Sequence, residues 1–367
     1  MRVFIYEDKN WPQFFWDSEK LLHLISEVRN YQGQLIGKMG TLGFDLKNQA
    51  NLEVLSLDVI KSTEIEGEKL NKDKVRSSIA KRLGIEISGL TDSDRHIDGV
   101  VEMLLDATGN SEKLSAERLF GWHNSLFPTG YSGLRKINTA RWRDDSKGPM
   151  EVVSGPIGKE KVHFQAPKAE HLDKEMERFI NWINSENEID LVLKAAIAHL
   201  WFVTLHPFDD GNGRIARALT DMMLAKSDKQ PYRFYSISTQ IRKERKKYYE
   251  ILEKTQKGNL DITKWLEWFL NCLLNALKAS EIILGKVIFK HNFWLQNDGK
   301  IINERQRKIL NMLLDGFKGN INTSKWASIC KCSQDTALRD IQDLIKKGIL
   351  HKLPHGGRST SYSINNF

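Results

Sequence analysis

The chain has 367 residues, 40% of them hydrophobic and 28% charged, with a formal net charge of +8. This is the make-up of a globular protein with room for two or three domains, and no apolar run reaches the length of a membrane span. Three cysteines (Cys272, Cys330 and Cys332) cannot form a disulfide framework, Cys330-Lys331-Cys332 is too tight for a metal knuckle, and the first residues lack a signal-peptide apolar core, so a cytoplasmic location is expected. Lys and Arg outnumber Asp and Glu by 11 to 5 over residues 301–367 and by 10 to 4 over residues 226–257. Such stretches suit polyanions, although a charged run is more often a solvated face.

Trp11-Pro12-Gln13-Phe14-Phe15-Trp16 opens the chain as an aromatic anchoring cluster. Leu21, Ile25, Val28, Leu35 and Met39 recur at helical spacings and predict one long helix. Leu52, Leu55 and Val59 mark a second, over residues 51–60, that runs into Ser62-Thr63-Glu64-Ile65-Glu66-Gly67-Glu68. Gly67 is a candidate C-cap. Acids at a helix C-terminus face the negative end of the dipole, so this end suits a cationic partner. Helices are predicted over 72–83, 93–107 and 115–127; His123, in the last, is assigned no role. Glu151-Val152-Val153-Ser154 and Val162-His163-Phe164, around Gly155-Pro156-Ile157-Gly158, then predict a β-hairpin. A lone hairpin is marginally stable, and its free edge can pair with an extended peptide or simply cover the core.

Two helices over residues 169–205 deliver the chain to His206-Pro207-Phe208-Asp209-Asp210-Gly211-Asn212-Gly213-Arg214-Ile215-Ala216-Arg217. Pro207 ends the second of these helices, and a new one starts near Gly213. A glycine-preceded helix start is an anion site, because its N–H groups are unpaired and phosphate can approach closely. Arg214 and Arg217, spaced i,i+3, add charge on one face. Asp210 is a hard oxygen ligand of the kind Mg²⁺ takes beside phosphate oxygens, and His206 can accept a proton from a hydroxyl. Beyond the motif come a basic helix over 240–257 with Tyr248, Tyr249 and Leu252, and a helix over 262–289. The tail predicts a helix from Glu304, one over 323–330, a third capped by Ser333, and a basic turn His355-Gly356-Gly357-Arg358 between two short strands.

With every fixed position matched, residues 206–217 resemble the signature His-Pro-Phe-x-Asp/Glu-Gly-Asn-Gly-Arg-x-x-Arg of the Fic family of AMP-transferring enzymes. The resemblance extends over essentially the whole chain, with high specificity in those twelve residues. It implies a mostly α fold with an N-terminal helical region carrying an inhibitory motif (1–110), a Fic helical core with a β-hairpin flap (111–295) and a C-terminal winged-helix module (296–367). The implied reaction transfers AMP from ATP to a Ser, Thr or Tyr hydroxyl of a protein, its own chain included, and releases pyrophosphate. His206 would be the base and Asp210 the Mg²⁺ ligand. Gly211, Asn212 and Gly213 would cradle phosphate, Asn212 also fixing the α-phosphate, with Arg214 on the β-phosphate and Arg217 on the γ-phosphate.

Ser62, Glu66 and Gly67 fit the family's inhibitory pattern Ser/Thr-x-x-x-Glu-Gly/Asn, which implies that Glu66 pairs with Arg217 in place of the γ-phosphate. The hairpin corresponds to the target-binding flap, with Ile157, Gly158, Val162, His163 and Phe164. Tyr248 and Tyr249 are candidates for the adenine pocket. A winged helix would set Gln334, Asp335, Thr336 and Arg339 toward a DNA major groove, with Arg358 on the minor groove or a phosphate, although Asp335, Asp340 and Asp343 on the same helix would repel phosphate. Protein contact or a homodimer is the other use of such a module. Two further readings remain: removal of AMP with Glu66 orienting a water, and a DNA-binding regulator whose core senses nucleotide. The phosphate-transferring branch of the family loses the second arginine, which this chain keeps.

Overall fold

The computed structural model describes residues 4–87, 91–146, 148–155, 161–186, 188–230, 232–314, 317, 319–354 and 360–365. The fold is mostly helical, with short antiparallel hairpins. It divides into two units, Met1–Glu281 and Ile282–Phe367. The first unit takes in the expected inhibitory region (1–110) and the expected core (111–295) as far as Glu281.

Its centre is the pair α7 (Leu191–Leu205) and α8 (Asn212–Asp228). In α7 every residue from Val192 to Leu205 is buried, the pattern of a helix surrounded by others rather than lying on a surface. Around this pair run α1 (Ser18–Gly40), α2 (Phe44–Ile65), α3 (Lys72–Leu83), α4 (Arg95–Gly109), α5 (Ala116–Leu126) and α6 (Leu172–Asn184). Asp17, Asn71, Asp94 and Ser115 cap α1, α3, α4 and α5 through their side chains, so these starts are written in the sequence. α2 begins seven residues before the apolar pattern shows it, because its first turns are solvent-facing and Phe44 is exposed. The expected single basic helix is two, α9 (Ile237–Lys243) and α10 (Arg245–Gln256), broken at Glu244. α11 (Thr263–Gln296) runs past the predicted end at residue 289.

The hairpin β1 (Tyr131–Ser132) and β2 (Arg135–Lys136) is too short to leave a periodic signal. β3 (Glu151–Ser154) and β4 (Lys161–Gln165) form the predicted hairpin, with an irregularity between Val152 and Val153. Phe164 is buried against Phe4 and Tyr6, which ties the hairpin to the start of the chain. Trp11 and Phe14 pack edge-on to Trp201 of α7, so the aromatic cluster is an anchor.

A buried ionic cluster joins α2 to α8. Arg233 donates to Asp221 at 2.9 Å and to Asp228 at 3.0 Å, and its main-chain N–H donates to Asn51 Oδ1 at 2.8 Å. Ser236, the N-cap of α9, donates to Asp58 of α2 at 2.5 Å. Burial pushes the Asp221 and Asp58 carboxyls above their usual range, while Arg233 pulls both down. Arg233→Ala strands these carboxylates, so it is expected to destabilise the fold by about 3–5 kcal/mol, read as a lower urea midpoint.

The second unit contains α12 (Glu304–Leu314), α13 (Thr323–Cys330) and α14 (Gln334–Lys346), then the antiparallel pair β5 (Leu350–Lys352) and β6 (Tyr362–Ile364). Its core includes Ile309, Trp326, Ile341, Leu344 and Ile349. Tyr362 N–H donates to Ile321 O at 2.9 Å, extending the hairpin by one bridge. The acids of α14 need a correction. Asp340 is buried against Arg305 and Asn303, and Asp343 pairs with Lys347 and Gln306, so neither faces outward as a free anion. Gln334, Asp335 and Arg339 are exposed and Thr336 is half-buried; the turn with Arg358 lies outside the described residues. Among the described residues no helix is long and apolar enough to cross a membrane.

Candidate active site

The site begins where α7 ends. Pro207 bars further helix, and His206 closes it in the left-handed conformation, at φ 48°. Its N–H donates to Phe202 O at 3.0 Å. Nδ1 lies 3.2 Å from Val203 O and carries the proton, since a carbonyl can only accept. Nε2 is therefore the basic nitrogen of a neutral ring. Burial holds the imidazole below its ordinary pKa; Val203, Glu66 and Asp210 oppose this and Arg143 reinforces it.

Asn212 closes the following loop. Phe208 N–H donates to its Oδ1 at 3.0 Å, and its Nδ2 donates to Phe208 O at 2.8 Å. The Asn212 side chain is thus committed to the loop. A phosphate here would meet its main-chain N–H in the first turn of α8. Phe208 stacks on His123 with ring centroids 4.2 Å apart, and His123 Nε2 donates to Asp210 O at 3.2 Å. Burial pushes His123 down to about 4, so it serves as a neutral donor that shapes the loop.

α8 starts at Gly211, left-handed at φ 80°, where a Cβ would stand 2.9 Å from the Phe127 ring. Its first-turn N–H groups have no partner within the helix. Into this turn comes a carboxylate: a Cβ on Gly213 would stand 2.2 Å from Glu66 Oε1, so glycine there is what admits it. Glu66 is the C-cap of α2, and Gly67, at φ 93°, lets the chain turn away. Arg217 Nη2 donates to Glu66 Oε1 at 2.7 Å and to Ser62 O at 2.9 Å, and Nε donates to Ser62 Oγ at 2.8 Å. Nη1 is buried and makes no hydrogen bond among the described residues. Burial lowers the Arg217 pKa, but Glu66, Tyr248 and Tyr249 more than offset it, leaving the guanidinium above its usual value.

Arg214 is buried over the Phe127 ring, its Nη1 3.7 Å from Glu68 and its Nη2 4.0 Å from Asp210; its Nε makes no hydrogen bond among the described residues. Glu68 also reaches His96 Nε2 at 2.7 Å. A second carboxylate thus stands by the second arginine, where sequence reasoning named only Glu66. The acidic run Glu64-Ile65-Glu66-Gly67-Glu68 was its one signal.

Asp210 is half-exposed at the mouth, accepting from Gly211 N–H at 2.5 Å and from Ser132 Oγ of the β1–β2 hairpin. Among the described residues no three His, Cys, Asp or Glu cluster as a metal site, so a cation here would complete its shell with phosphate oxygens and water. One hard carboxylate beside two arginines and a helix N-terminus fits that arrangement. Ser132 was not legible, because β1 carries no pattern.

Val162 is exposed opposite Val153 on the β3–β4 hairpin, and Phe164 is its buried anchor. His163 bonds Ser154 Oγ at 2.6 Å through Nε2 and Glu253 of α10 at 2.7 Å through Nδ1. Ile157 and Gly158 lie outside the described residues. Tyr248 and Tyr249 part company: Tyr248 is core, its hydroxyl 2.9 Å from His199 Nε2 and its ring against Trp268, whereas Tyr249 is partly exposed beside Arg245. His199 Nδ1 donates to Thr220 Oγ1, whose own proton goes to Ala216 O, so Nε2 accepts from Tyr248. The adenine contact expected of Tyr248 does not suit its buried place; the exposed ring is Tyr249.

This core ends one helix at a histidine and opens the next with unpaired first-turn N–H groups. Residues 113–224, which include both, match the Fic/DOC family. Residues 4–85 match a second family, described as a domain of unknown function (DUF4172). Over 104 residues the chain is 35% identical to the protein adenylyltransferase Fic of Drosophila virilis, covering 28% of this chain and 20% of the relative; the Drosophila melanogaster protein gives the same figures. The chain thus spans about a fifth of the length of these curated relatives. Among solved structures, a Fic family protein from Desulfovibrio desulfuricans superposes with a TM-score of 0.52 at 19% identity, over 96% of this chain and 98% of that one. A Fic domain containing signaling protein from Bacteroides thetaiotaomicron gives 0.52 and 19%, over 71% and 98%. These likenesses speak for the fold.

Proposed function

We propose that this protein transfers AMP from ATP to a Ser, Thr or Tyr hydroxyl of a protein, and that Glu66 restrains it. The observation that carries this reading is Arg217: a buried guanidinium at a helix N-terminus suited to phosphate, held by a carboxylate from another helix, with no hydrogen bond to Nη1 among the described residues. The relatives named protein adenylyltransferase support the same chemistry.

In the proposed step the target oxygen attacks the α-phosphorus, the bond to the β-phosphate oxygen breaks, and pyrophosphate leaves. The hydroxyl proton passes to His206 Nε2, which is neutral and basic at physiological pH. First-turn N–H groups of α8 and Arg214 hold the phosphates in line, and Arg217 takes the γ-phosphate once Glu66 withdraws. Mg²⁺ at Asp210 would neutralise phosphate charge. The hairpin edge with Val153 and Val162 presents the target segment by strand pairing.

Labelling with ATP that carries its label on the α-phosphate tests the reading: label on protein supports it. Release of AMP from modified protein, dependent on Glu66 and without transfer by Glu66→Gly, would replace it with AMP removal. We read the second unit as a winged helix. With Asp340 and Asp343 paired internally, Asp335 is the acid left on the exposed face of α14, which makes DNA contact through Gln334 and Arg339 a second use. Specific DNA binding without any labelling would favour the regulator. A concentration-dependent mass would mark a homodimer instead.

Asp210→Ala is expected to abolish the response of the labelling rate to added Mg²⁺, and a chelator should do the same to the intact protein. A metal titration checks both; full activity in chelator removes Asp210 from this role.

A further inference from the structure

We infer that Arg143 is a positioning residue that keeps the His206 imidazole in register with the target-presenting hairpin; the inference rests on the AMP-transfer reading above. Arg143 grips both carbonyls of the turn that carries the base. Its Nε donates to His206 O at 2.9 Å, and its main-chain N–H donates to Pro207 O at 2.9 Å. The far end of the same guanidinium holds the base of the hairpin: Nη2 donates to Pro167 O, two residues past β4, and Nη1 pairs with Asp145. Asp145 Oδ2 in turn accepts from Ala169 N–H at 2.7 Å, and Ala166 N–H donates to Met150 O at 2.9 Å across the foot of the hairpin.

All three guanidinium nitrogens are therefore engaged, and the side chain is 1% exposed, so it has one geometry and no free face for a nucleotide. His206 needs such a hold. A non-glycine residue in the left-handed region is strained and persists where its surroundings over-determine it. Its N–H and Nδ1 bind back to its own helix. Arg143 supplies the tie from outside α7, to the segment that leads from the hairpin. A lysine keeps the charge but cannot serve three partners in one plane.

The test compares Glu66→Gly with Glu66→Gly/Arg143→Lys, using self-labelling by ATP, calorimetric ATP binding and ¹⁵N NMR of the His206 imidazole. The expected result is a labelling rate at saturating ATP about 10²-fold lower, as for a misplacement of about 1 Å. ATP affinity should stay within about twofold, because Arg143 touches no part of the cradle. The imidazole signals should move from one Nδ1–H form to a mixture of tautomers. An unchanged rate overturns the inference, and so does a lower rate with unaltered His206 signals. Should the lysine variant fail to fold, Asp145→Asn loosens one end of the guanidinium and carries the same readouts. A Glu66→Gly parent that labels nothing overturns the AMP-transfer reading, while the NMR comparison still decides whether Arg143 orients His206.

Discussion

Glu66→Gly is expected to raise AMP transfer by roughly 5–150-fold, the range of an ordinary coupling energy between two sites. Most substitutions beside an active site lower activity, so the sign is informative. The carboxylate that now lies against Gly213 and Arg217 is removed, and the γ-phosphate gains both the helix N-terminus and the guanidinium. Arg217→Ala should be inactive, and adding Glu66→Gly to it should restore little, because the clamp itself is gone. Two residues in direct contact give such non-additivity, whereas independent sites give additive effects. Steady-state labelling of the four proteins at matched ATP decides: equal rates for the wild type and Glu66→Gly would end the inhibition model and leave residues 62–67 as a helix terminus.

His206→Ala is expected to lower transfer by about 10²–10⁴-fold, the usual contribution of a general base. Nucleotide binding should survive, since the cradle belongs to α8 and its hydrogen bonds do not pass through the imidazole. Calorimetry with ATP beside the labelling assay separates the two effects. Near-normal transfer by a folded His206→Ala protein would take the residue out of the base role. The neutral ring with its proton on Nδ1 also sets a sign for pH: because burial holds the imidazole below its ordinary value, the rate should hold on acidification through pH 6.5 and fall only below it.

The loop over residues 206–217 could be read from sequence because its parts are neighbours: histidine, proline, glycines and arginines each have a local reason to be where they are. Residues 62–67 were legible for a different reason, since acids at a helix C-terminus break a local rule and so ask for a partner. α3 and α13 were predicted at their observed ends, having side-chain caps at the start and either glycine or a left-handed residue at the close. What escaped was non-local. Nothing in Arg141-Trp142-Arg143 says which arginine is buried or that it reaches His206. Tyr248 and Tyr249 are adjacent on one helix, and only packing decides that the first faces Trp265 and Trp268 while the second meets solvent. Asp340 and Asp343 read as repulsive until α12 supplied their partners.

The ionic cluster that fixes α2 against α8 would also limit how the proposed restraint is lifted. Asn51, Asp58 and Ser62 are pinned along the helix, so its body is a rigid mount and only the Glu66 side chain and the turn at Gly67 need to move. Side-chain rotation at a partly exposed position takes on the order of nanoseconds once a contact opens. On the proposed reading the brake would therefore release and re-engage many times within one catalytic cycle. It would act as a continuous attenuator whose setting is the fraction of time Arg217 is free, and ATP, by competing for that same guanidinium, would help to turn the dial.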